Sequence, residues 1–273
     1  MRDNSGPSVH SGRDSARNTL LWVESIAFFI VTNALNRVLI AIDVSEPLSL
    51  GGTLIETLPL ANAVLLGYWQ IPDQTQPEQA RNQFEGEAQQ RLQAVAERFI
   101  DQGVDFQTRL VFTNDRDQSI DTATNEFGCQ SVLIPGTESP PSGTTRGIVL
   151  IKPNADLDRI VETLSALFAE SDVELYLFHA IESKNEHLYD ASEYMLRGLA
   201  DRLSELGISR DRVTWEQSTE GKRIERLLSQ VPDFDFVVMG ESTPTLRSRI
   251  FGTLQSKLAT ETEKPILTIR TGK

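Results

Sequence analysis

The chain has 273 residues, enough for two modest domains that each bury a core. A formal net charge of −13 opposes nucleic acid and anionic membranes as general partners. One cysteine, Cys129, excludes an intrachain disulfide and fits a reducing, cytoplasmic setting; three scattered histidines, His10, His179 and His187, exclude metal-site spacing.

Residues 1–18 are rich in Ser, Gly, Arg and Asp and read as disordered. The apolar run from Leu20 to Val31 follows, broken by Glu24. It is shorter than the roughly 20 residues a spanning helix needs, and no small-residue cleavage site follows it. The expectation for residues 1–35 is a packed N-terminal helix, or sequence translated ahead of the native start, rather than a membrane anchor.

From Arg37 the pattern is strand and helix in alternation. Val38 to Ile42 is an unbroken apolar run of buried-strand length ending at Asp43, and Ala63 to Trp69 is a second. A long helix carries Phe84, Ala88, Leu92, Val95 and Phe99 on one stripe and is closed by Gly103. Phe106 to Phe112 reads as a strand. Ile120, Ala123 and Phe127 mark a short helix ended by Gly128, and Ser131 to Ile134 is the fourth strand.

The order then repeats. Ile148 to Ile151 is a strand; Leu157, Ile160, Val161, Leu164 and Leu167 form a helical stripe; Val173 to His179 is the next strand. A long helix through Leu188, Met195, Leu199 and Leu203 ends at Gly207, as Gly103 ends its counterpart. Val213 to Gln217 is a strand, Ile224, Leu227 and Leu228 lie on a helix, and Phe236 to Met239 is the fourth strand. Such alternation predicts an α/β fold of two doubly wound parallel-sheet domains in tandem, at 36–143 and 146–273. The two are unequal. The second continues through a helix from about Gly252 to Thr262 into a strand ending at Arg270. After Pro135-Gly136 the first has a turn-rich linker, so it lacks its last helix and last strand.

One segment has the shape of a phosphate site. Met239-Gly240 ends an apolar strand, Ser242 and Thr243 follow in a polar loop, and Gly252-Thr253 opens a helix. Unpaired N–H groups and the positive dipole end of such a helix attract anions. Single-glycine turns between strand and helix are also ordinary architecture, so the pattern alone does not assign a ligand. Ser45, Ser242 and Thr253 have no base argued beside them, so no nucleophile is assigned. His179 ends an apolar strand and is expected to be a packed or rim histidine, and Asp115 and Asp117 read as a solvated loop.

Arg37-Val38-Leu39-Ile40-Ala41-Ile42-Asp43-Val44-Ser45 resembles the opening strand of the universal stress protein family, which ends in Ala-x-Asp-Gly-Ser. The stretch from Val237 is similar to that family's final strand, glycine loop, helix and strand. The resemblance covers nearly all of residues 37–270 and implies two Rossmann-like, HUP-type domains. Nucleotide-binding members carry an acid after the first strand and a loop Gly-x-x-Gly, nine residues, then Gly-Ser or Gly-Thr. There the acid addresses the ribose and adenine region, and the glycines admit the phosphates.

Both halves depart from this pattern, in opposite ways. The first keeps Asp43 but has no glycine loop. The second has Lys152-Pro153-Asn154 in place of the acid, Gly240 at the first glycine, Thr243 at the second, and eight residues rather than nine between Thr243 and Gly252. A Cβ at Thr243 obstructs close backbone approach to a phosphate, and Pro244 holds Thr243 extended.

These departures predict a non-enzymatic, cytoplasmic regulatory or stress-response protein. It has no firm cofactor, and ATP or another adenine nucleotide binds weakly or not at all. Two alternatives compete: a nucleotide-switched member that hydrolyses ATP slowly, and a soluble module attached to a membrane transporter. Two structural expectations follow. The segment 20–31 folds back over the gap in the first domain. The final strand, 265–270, presents a free edge and forms an antiparallel homodimer with its copy.

Overall fold

The computed structural model describes residues 37–46, 62–101, 104–136, 144–152, 155–181, 186–218, 231–240 and 264–270. The first half supplies strands β1 (Arg37–Asp43), β2 (Asn62–Gln70), β3 (Asp105–Thr113) and β4 (Ser131–Ile134). The second supplies β5 (Arg146–Leu150), β6 (Glu174–Ala180), β7 (Val213–Ser218), β8 (Phe236–Gly240) and β9 (Ile266–Ile269). Described helices are α1 (Pro77–Asp101), α2 (Arg116–Glu126), α3 (Leu157–Phe168) and α4 (Glu186–Glu205).

The apolar runs become strands buried on both faces: five consecutive residues of β1 and all of β8 are inaccessible. Helix ends follow local chemistry. Asp115 and Asp156 cap α2 and α3 by accepting from the backbone N–H groups of Gln118 and Arg159, 3.0 and 3.1 Å away. Gly128 and Gly207 follow α2 and α4 at φ of 62° and 101°, conformations that favour glycine. The next N–H groups, of Cys129 and Ile208, return to the carbonyls of Thr124 and Leu203, which completes a Schellman end at each helix. Asp115, expected in a solvated loop, is thus a helix cap.

The nine described strands join one sheet in the order β3-β2-β1-β4-β9-β8-β5-β6-β7. Each half runs third, second, first, fourth from its outer edge, so the order is a palindrome about β9. Neighbours within each half are parallel. The halves meet in an antiparallel pair, β4 on β9, with Ser131 opposite Ile269 and Ile134 opposite Ile266. One apolar cluster covers a whole face across both halves, taking in Ile40, Leu133, Val149, Val238, Leu267 and Ile269. The other face carries two separate clusters, one around Ile120 and Val132 under α2 and one around Phe178, Val237 and Ile266.

The final strand does not present the free edge expected of it. β8 holds one side in parallel and β4 holds the other. Among the described residues the first half has no fifth strand of its own to pair the side of β4 away from β1, and β9 of the same chain takes that place. Arg270 extends the seam: its backbone N–H donates to Gln130 O (2.9 Å) and its Nη1 to Asn125 Oδ1 (3.0 Å). A homodimer through residues 265–270 therefore has no open edge to form on. The segment 20–31, expected to fold over the first half, lies outside the described residues, as do the helices expected around Leu227 and from Gly252 to Thr262.

Candidate functional site

In open α/β sheets ligands bind beyond the carboxyl ends of the strands, where the strand order reverses. Here that rule selects two places, the β1/β4 and β5/β8 ends.

At the first, Asp43 terminates β1 and is half-buried. Its Oδ1 accepts from the backbone N–H of Ser45 at 2.9 Å and from Ser45 Oγ at 2.5 Å, closing a tight turn. Tyr68 is its register partner on β2. Burial first, and then the Asp43 carboxylate, push the Tyr68 hydroxyl up to about 12, against the opposing pull of the neighbouring Arg116 guanidinium. Arg116 also pairs with Asp117 at 2.9 Å. Arg91, from α1, donates to Val44 O at 2.8 Å and lies 5.6 Å over the Trp69 ring, tying the helix to the turn after β1. The acid thus sits in a polar cluster that spends one carboxylate oxygen on its own turn. Sequence reading missed Tyr68, Arg91 and Arg116. The usable signal was alignment of β2 on β1, which sets Tyr68 opposite Asp43.

At the second place, strand pairing superposes the halves residue by residue. Val38 is opposite Ser131 in β1/β4, and Gly147 is opposite Phe236 in β5/β8. Arg37–Asp43 therefore corresponds to 146–152, and Lys152 stands where the first half has its acid. By the same register Gly240 corresponds to Pro135.

Gly240 has a packing reason to be glycine. A Cβ there would lie 2.7 Å from Ile160 Cδ1 and 3.3 Å from Ile160 Cγ1, so the missing side chain lets α3 close on β8. Its φ is outside the left-handed region. Met239 is buried in the cluster with Ile148, Phe178 and Phe234 and presents no side chain to a ligand. Ser242, Thr243, Gly252 and Thr253 lie outside the described residues. His179 is buried, with Nδ1 2.8 Å from Ile151 O, and so is a packed histidine.

The two partial sites lie far apart. Because β4 and β9 are antiparallel, the carboxyl ends of the first four strands point one way along the strand axis and those of β5, β6, β7 and β8 point the other. Asp43 and Gly240 are therefore at opposite ends of the strands. Among the described residues, no three His, Cys, Asp or Glu side chains are grouped to hold a metal ion, and no helix is long and apolar enough to cross a membrane.

No protein-family model matches the sequence, and no curated protein is similar to it in sequence. Among solved structures, a universal stress protein from Archaeoglobus fulgidus covers 88% of this chain and 97% of its own, with TM-score 0.60 at 14% identity. The chain has the universal stress protein fold, in tandem. Two proteins from Pseudomonas aeruginosa also cover 88% of this chain. One, a candidate universal stress protein, has 95% of its own length covered at 14% identity and TM-score 0.48. The other, of unknown function, has 94% covered at 15% identity and TM-score 0.47.

Proposed function

We infer that this is a non-enzymatic, cytoplasmic protein of the universal stress type, regulatory or stress-responsive, whose adenine nucleotide site has decayed to weak or absent binding. The observation that carries the reading is the separation of Asp43 from Gly240. A dinucleotide or mononucleotide site needs its acid and its phosphate loop at one switch point. Here the acid stands at one end of the strands and the glycine at the other, so the halves cannot complement each other. Lys152 sharpens the loss: an ammonium has no lone pair to accept from a ribose hydroxyl, as a carboxylate does. Gly240 supports the same reading, because helix packing accounts for it without a ligand.

Calorimetry and thermal melts with ATP, ADP and AMP, each with Mg²⁺, at low and high salt, test this. A ligand at 100 times its dissociation constant stabilises by about 2.7 kcal/mol, which a melt resolves easily. Millimolar nucleotide should leave the melting temperature nearly unchanged. A saturable shift with micromolar affinity overturns the reading. Asp43→Ala should leave any residual binding in the second half as it was.

A further inference from the structure

We propose that the outer edge of β3, with the groove between it and α1, is a self-association surface on which a second copy of this chain adds its own β3. Among the described strands β3 ends the sheet, with β2 on one side only. It is nine residues long, and Gln107, Thr108 and Arg109 in its middle are all exposed. A strand of that length with free N–H and C=O groups is a template for another strand unless charge or covering blocks it.

Charge here selects the partner rather than blocking it. Asp105, Gln107 and Arg109 alternate onto one face of β3. An antiparallel two-fold pairing centred on Gln107 sets Asp105 of each copy opposite Arg109 of the other, two complementary pairs in which Arg109, 4.0 Å from Glu126 of its own chain, is shared between two carboxylates. The fully overlapped register, centred on Arg109, sets that guanidinium against its own copy and is disfavoured. The sequence of the edge thus specifies both its partner and its register.

The groove on the opposite face of β3 agrees. It encloses about 560 Å³ and is lined by uncharged residues, including Gly86, Gln89, Gln90 and Gln93 of α1 and Thr108 and Leu110 of β3. In a chain of net charge −13, copies repel across most surfaces, so a neutral wall beside a self-complementary strand is where they can meet. Gly86 is exposed, and a Cβ built there would touch nothing within 4 Å. Among the described residues no packing contact gives a reason for a glycine here, a poorer helix former than alanine. Close approach of the second α1 across the dyad supplies one.

The test uses the full-length protein. Wild type should sediment as a dimer at tens of micromolar. Asp105→Arg and Arg109→Asp should each weaken dimerisation at least about tenfold, because two pairs turn repulsive at once. The double variant D105R/R109D restores both pairs with signs exchanged and should recover the dimer. Gln107→Cys should oxidise to a covalent dimer, since antiparallel partners sit about 4.5 to 5.5 Å apart at Cα, within disulfide reach. Cys129 is buried and does not compete. All three positions are exposed or half-exposed, so melts should confirm an intact fold in every variant. A monomer at 100 micromolar, or a dimer indifferent to the single charge reversals, overturns the proposal.

Discussion

Gly240 shows how one residue can satisfy a motif for a reason unrelated to it. The loop pattern marks it as a phosphate glycine, while the structure uses its missing Cβ to seat Ile160 of α3. Gly240→Ala should cost about 1 to 3 kcal/mol of stability through overpacking, with no ligand present. Ile160→Val removes the methyl nearest the new Cβ. The double variant should therefore be more stable than the two single costs sum to, a coupling of at least about 0.5 kcal/mol in urea titrations. Additive effects would show that Ile160 is not what excludes a side chain there.

Two other residues make the fold sensitive to alkaline pH. Burial holds the Tyr68 hydroxyl at about 12 against an ordinary 10.0, and the Cys129 thiol at about 11 against 9.0. Both pKa values are raised on folding, so between the two sets of values the native state holds protons that the unfolded chain has lost. Their contribution is full below about pH 9 and disappears as pH climbs through about 11 to 12. Urea midpoints should hold steady from about pH 7 to 9 and then fall, with a shallower fall in Tyr68→Phe. A midpoint independent of pH across that range would mean that neither group is desolvated. The Cys129 thiol should also resist thiol reagents at neutral pH until the protein unfolds.

At the scale of elements, β9 matters most and is the one whose environment differs from expectation. Its four residues are all buried and reach both faces: Leu267 and Ile269 enter the shared cluster, and Ile266 the smaller one. An edge strand would tolerate proline where its N–H faces solvent, whereas a strand hydrogen-bonded on both sides does not. Leu267→Pro should therefore destabilise by about 3 kcal/mol or more and lower the melting temperature, rather than merely shift an oligomeric equilibrium. An unchanged melting temperature would mean that β9 does not bridge the halves. The elements themselves were legible in the sequence. The central strands β1, β2, β4, β5 and β8 were marked by their apolar runs, the outer β3 only by alternation, and the ends of α2 and α4 by Gly128 and Gly207, because burial on two faces and a left-handed cap leave local signatures. The polar cluster at Asp43 was only half legible. The acid was marked by its place after a strand, but Tyr68 reads as one more core aromatic, and Arg91 and Arg116 come from other elements.

At the scale of the molecule, the repeat and the order of its elements along the chain were legible in the sequence alone, as was the expectation that the first half stops after four strands. Periodicity of 2 and 3.6 and the short linker after Gly136 are local properties that need no partner to be read. What only the tertiary structure decided is where the unmatched β9 goes. Its choice of β4 over a second molecule depends on the reach of the chain and on backbone groups left open on another strand, neither of which is written in residues 265–270. That choice fuses the halves into one sheet, turns them antiparallel, and carries Asp43 and Gly240 to opposite ends of the strands. Strand direction is fixed by hydrogen-bonding geometry across the seam, so no inspection of the separate motifs reveals that they can never meet.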